Sequence, residues 1–124
     1  MSTLKVNDIQ EATTGGGKIF LSRAWADWNA VTSSLNDDGN VSTLTDNGTG
    51  NFTVNFANNM PSASYSFVSG ATMATDGTVG GITTDNGYNS ALSNKTTSSM
   101  RHRLGRASTP GYVDFYNAST AYID

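Results

Sequence analysis

The stretch "TDNGTGNFTVNF", residues 45–56, restricts the fold more than any other part of the chain. Asp46-Asn47-Gly48-Thr49-Gly50 is dense in turn formers, and Phe52, Val54 and Phe56 then alternate with Thr53 and Asn55. A period of two puts alternate side chains on opposite faces of a strand. Asn-Gly beside such a run is a hairpin signal. The pattern recurs on both sides of it. "NVSTLT" precedes it, and "SYSFVSGATM" follows the break at Pro61, with Tyr65 and Phe67 sharing a face. Short strands are expected at Val79–Thr83 and Ser90–Leu92, between the turns Asp76-Gly77, Gly80-Gly81 and Asn86-Gly87. "MRHRL" sets Met100, His102 and Leu104 against Arg101 and Arg103. "GYVDFYNASTAYID" reads as a closing strand with Val113 and Phe115 inward.

Many short strands with regular turns predict an all-β fold, a single β-sandwich of jelly-roll-like topology over residues 19–124. The predicted core is Phe52, Val54, Phe56, Tyr65, Phe67, Val113 and Phe115. Residues 18–31, "KIFLSRAWADWNAV", fit either a helical face or an alternating strand. The β-rich surroundings favour the strand, with Trp25 and Trp28 as core or interface anchors. Residues 1–18 read as an extended N-terminal arm. Leu4, Val6 and Ile9 are its docking side chains, and Gly15, Gly16 and Gly17 form a joint that opposes both helix and strand.

Composition narrows the function. The 124 residues suffice for one domain. Charged residues make up 14% against an average of about 25%, and Ser, Thr, Asn and Gly carry the polarity. A net charge of −3 and the scarcity of basic residues argue against nucleic acid. The absence of cysteine excludes disulfides, thiolate chemistry and cysteine-held zinc. No apolar run reaches the length of a membrane-spanning helix, and the first residues lack the apolar core of a signal peptide. The Asn-X-Ser/Thr matches at Asn47, Asn51, Asn94 and Asn117 are what an Asn- and Thr-rich chain yields by chance.

Each chemical motif meets a plainer reading. Glycosidase chemistry needs two carboxylates, and the single glutamate, Glu11, falls in the arm. Asp37, Asp38, Asp46, Asp76 and Asp85 adjoin Gly, Asn or one another, where turn chemistry favours Asp. "NDDGN" and "TDNGTGN" lack the spacing and terminal Glu of a calcium loop. "TTGGGKIF" has Ile19 where a phosphate loop needs Ser or Thr. His102, the single histidine, reads as packed or hydrogen-bonded on its strand. Arg101, Arg103 and Arg106 form a cationic cluster suited to solvent, a subunit contact or an anionic surface. No cofactor, metal or catalytic residue is expected.

Two stretches carry a resemblance. The opening "MSTLKVNDIQ" and the run "VSTLTDNGTGNFTVNFANNMPSASYSFVSG" are similar to the short tail-fibre-like virion proteins of marine tailed bacteriophages. The resemblance implies a non-enzymatic structural protein of the phage particle, a homotrimer attached to other virion proteins of the tail or capsid. The chain is short and shows no repeat or coiled-coil shaft, which points to a compact module. Two roles follow: a tail-fibre or adhesin-like module contacting host cell-surface glycan, or a capsid decoration protein. Arg101, Arg103, Arg106, Trp25 and Trp28 are the candidate interface residues.

Overall fold

The computed structural model describes Thr3 and residues 22–72, 79–84, 95–105 and 112–124, with 79–84 described by backbone alone. The arm residues Leu4, Val6, Ile9 and Gly15–Gly17, the strand expected at Ser90–Leu92, and Arg106 lie outside the described residues. Eight strands are described: β1 (Ser22–Asn29), β2 (Ser34–Gly39), β3 (Val41–Asp46), β4 (Asn51–Phe56), β5 (Ser66–Thr72), β6 (Val79–Thr84), β7 (Ser99–Gly105) and β8 (Asn117–Ile123). The described residues contain no helix. Every strand pairing is antiparallel, in the order β2-β1-β8-β5-β6-β7-β4-β3.

This order forms two sheets that share β6. Its first residues pair with β5 (Thr72↔Val79, Ala71↔Gly80), and its last with β7 (Gly81↔Gly105 to Thr84↔His102). The changeover falls at Gly80-Gly81, where the missing side chains ease a bend. At the other margin β2 and β3 are separated by Asn40 alone, with φ at 57°. Asn tolerates this left-handed conformation better than most residues. Its amide fixes the crossing: Nδ2 donates to the carbonyls of Arg23 and Asn58, each at 3.1 Å, and Oδ1 accepts the Asn58 N–H at 2.8 Å. In the middle of the first sheet β1 runs beside β8, with Ser22 opposite Ile123.

The alternating patterns fill the space between the sheets. Ala24, Ala26 and Trp28 of β1 and Ala118, Thr120 and Tyr122 of β8 are buried from one side. Phe52, Val54 and Phe56 of β4 and Met100, His102 and Leu104 of β7 are buried from the other. Rings meet across the layers: Phe56 lies 4.9 Å from Tyr122 edge-to-face, and Tyr65 packs at 5.8 Å from Phe56 and 5.9 Å from Tyr122. Small residues on β1 and β8 leave room for these rings. Phe67 and Val113 are half-buried against the same core.

Three local expectations are changed. "NDDGN" is not a turn: Asn36–Gly39 belong to β2, with Asp37 opposite Asp27 and Asp38 opposite Ala26. An end strand with solvent-facing side chains accommodates such residues. The chain reverses at 30–33 instead, where Asn29 Oδ1 accepts the N–H groups of Val31 and Thr32. The closing strand also begins later than expected, at Asn117. Around Val113 and Phe115 the backbone bonds to other segments: Phe115 C=O accepts from Ala30 N–H in the β1–β2 turn, and Val113 N–H donates to Leu104 C=O of β7. Trp28 is fully buried and is no interface residue, whereas Trp25 is 39% exposed. The turn at Asp46–Gly50 is as expected, with Gly48 and Gly50 at φ of 116° and 61°.

Candidate functional site

The alternation that buries Ala24, Ala26 and Trp28 turns Trp25 and Asp27 outward. Cross-strand register then assembles two rows on the outer face of the first sheet. Trp25 lies between Gly39 and Ala121, with Val68 beyond Ala121. Asp27 lies between Asp37 and Ser119, with Gly70 beyond Ser119. The small residues Ala121, Ser119 and Gly70 leave a shallow groove of about 420 Å³ between Trp25 and Val68. Val68 is 57% exposed, so both apolar walls meet solvent.

The indole is seated. A Cβ built on Gly39 would lie 2.2 Å from Trp25 Nε1, so the ring rests directly on the Gly39 backbone. Asp27 is held too, with Oδ1 accepting from Asn36 Nδ2 at 2.7 Å. The result is an aromatic and aliphatic contact surface with a polar rim. Gly39→Ala is expected to unseat Trp25 without entering the core. Of the two indole N–H resonances in an NMR spectrum, that of Trp25 should move strongly and that of Trp28 little.

The arginines sit elsewhere, on the outer side of β7. Arg101 Nε donates to Asn51 Oδ1 at 2.7 Å, and the Arg103 guanidinium lies 4.6 Å from the centre of the Tyr112 ring. Around them the second sheet presents a polar lattice. Asn55 Nδ2 donates to the hydroxyls of Thr43 and Thr45, and Asn47 Nδ2 to that of Thr53. The sequence-derived candidates therefore do not converge. Trp25 marks one outer face, Arg101 and Arg103 the other, and Trp28 the core.

Asp46 acts locally. Its Oδ2 accepts from Ser33 Oγ at 2.6 Å and its Oδ1 from Gly48 N–H at 2.8 Å. These two donors hold the carboxyl below its ordinary value. His102 is buried, with Nε2 at 2.6 Å from Tyr122 Oη. Burial lowers its pKa to about 4 and pushes the Tyr122 hydroxyl up. No group of three metal-binding side chains comes together among the described residues. The described residues include no helix long and apolar enough to cross a membrane.

Sequence reasoning missed the groove itself. Its signals were the outward phase of Trp25 and Asp27 and the position of Val68, out of phase with Phe67. What brings them together is register across three strands, which one chain's pattern does not encode. The chain matches no protein-family model, no curated protein and no solved structure.

Proposed function

We propose that this chain is a non-enzymatic structural protein of a tailed-phage particle, a compact tail-fibre- or adhesin-like β module that joins other virion proteins and associates as a homotrimer. The observation that carries this reading is the Trp25–Val68 face. An exposed tryptophan and valine flanking a groove, on a chain whose polarity is otherwise Thr, Asn, Ser and Gly, form the kind of patch that marks a protein contact. The resemblance of the first ten residues and of residues 41–70 to tail-fibre-like proteins supplies the setting. The N-terminal arm, with Leu4, Val6 and Ile9 docking on a neighbour, belongs to this reading. So does the jelly-roll-like description. Eight described strands in two layers match the jelly-roll count, while β5, β6 and β7 are a meander of this chain's own.

The test is imaging of purified particles that carry a labelled copy of the protein. Label at the tail is the expected result, with its loss in Trp25→Ala while that variant stays folded. Label spread over the head lattice would replace the tail assignment with capsid decoration. Particles without label would end both. Deleting residues 2–14 tests the arm, and a deletion variant that still trimerises and attaches would refute its role.

A further inference from the structure

His102 belongs to one sheet and packs against the other. Its ring lies 5.9 Å from Trp28 on β1, 5.8 Å from Phe67 on β5 and 5.8 Å from Tyr122 on β8, and it is fully buried. The contact with Tyr122 Oη is a buried side-chain hydrogen bond between the layers. Among the described residues Nδ1 has no hydrogen-bond partner, and neither has the neighbouring Trp28 Nε1. The indole N–H can only donate, so it offers nothing to a second imidazole proton.

Among the described residues, the other groups around the ring give no counter-charge. β8 presents the Tyr122 hydroxyl, with Tyr65 packed behind it. β1 presents Trp28 and β5 presents Phe67. On β4 the residue opposite is Phe52. Arg101 and Arg103 flank His102 on β7 and turn to the opposite face. A neutral imidazole needs one partner in this setting and has it. An imidazolium carries two N–H donors and finds one acceptor among the described residues, inside an apolar layer where an uncompensated charge is costly.

The geometry points to an acid-operated latch between the two sheets: proton uptake at Nδ1 of His102 puts an unpaired cation among Trp28, Phe67 and Tyr122 and drives the layers apart. The direction follows from linkage. The unfolded chain binds the proton near the ordinary value of 6.5, and burial lowers the folded value to about 4. Between these values the unfolded state holds more protons, so stability falls as pH falls through that window and is level above it. Asp46, held low by Ser33 and Gly48, loses its own contribution only below the ordinary carboxylate value of 3.8, outside this window.

The chain has a single histidine, so its imidazole resonances report on His102 without assignment. In the folded protein they should stay those of the neutral ring at pH 5. The unfolding equilibrium constant from urea titrations should rise about tenfold per pH unit on going from pH 6.5 towards 4. His102→Gln should remove most of that slope. A folded-state imidazole that titrates near 6.5 overturns the latch, as does an unchanged slope in a folded His102→Gln protein. If that variant does not fold, the wild-type resonances and slope decide the matter alone.

Discussion

Trp28→Ala is expected to destabilise the domain by about 3–5 kcal/mol, the cost of removing a large aromatic from a packed core. The side chain is completely buried, and it closes the layer next to His102. Its Nε1 has no partner among the described residues, so the substitution strands no hydrogen-bonding group. The loss is one of packing and cavity. Domains of this kind have about 5–15 kcal/mol in total, so the effect is a large fraction of the whole. Trp25→Ala, three residues away, should cost much less, because Trp25 faces solvent on the outer side of the same strand. Urea denaturation of the two variants checks both statements. Similar losses in the two would contradict the inward and outward assignment of β1.

Gly50→Ala should cost about 3 kcal/mol or more, summing two terms. The first is backbone: φ of 61° is left-handed, and a side chain there costs about 1–2 kcal/mol. The second is steric. An added Cβ would lie 2.7 Å from Leu104 O, 2.8 Å from Val113 N and 2.8 Å from Tyr112 Cβ. Two of these are backbone atoms engaged in hydrogen bonds, and they cannot rotate away. Leu104 N–H donates to Gly50 O at 2.8 Å, Val113 N–H donates to Leu104 O at 3.1 Å, and Gly50 N–H donates to Asp114 Oδ1 at 2.7 Å. Gly48→Ala separates the terms. Gly48 also has positive φ, at 116°, but nothing lies within 4 Å of its Cβ position, so only the backbone term applies. Thermal melts of the pair should therefore show a clearly larger loss for Gly50→Ala.

The two glycines also show how much the sequence reveals. Asp46–Gly50 is legible as a turn, because its residue types have few other uses side by side. β4 and β7 are equally legible, since each alternates without interruption between apolar and polar residues. β2 was not, because "SLNDDG" carries turn residues and becomes a strand only through its pairing with β1. Residues 112–116 failed for the opposite reason. Their aromatic alternation imitates a strand, but their backbone groups serve Ala30 and Leu104, and the Asp114 carboxylate serves the turn at Gly50. Trp25 and Trp28 were legible as anchors, and the choice between core and surface waited on the phase of β1. Asn40 carried no signal at all, although one left-handed residue there joins the strands at a margin of each sheet.

The pairing of Ser22 with Ile123 bears on how the domain would carry a mechanical load. These residues close the same end of one antiparallel ladder, so the first and last described strands meet there. Tension that draws the two points apart does not strain all the rungs between β1 and β8 at once. It concentrates on the rung at Ser22, then on the next, as in a zipper opened from its tab. A module tethered at both points would yield at low force and gradually. The same module held at one point alone would pass the load by without engaging its hydrogen bonds.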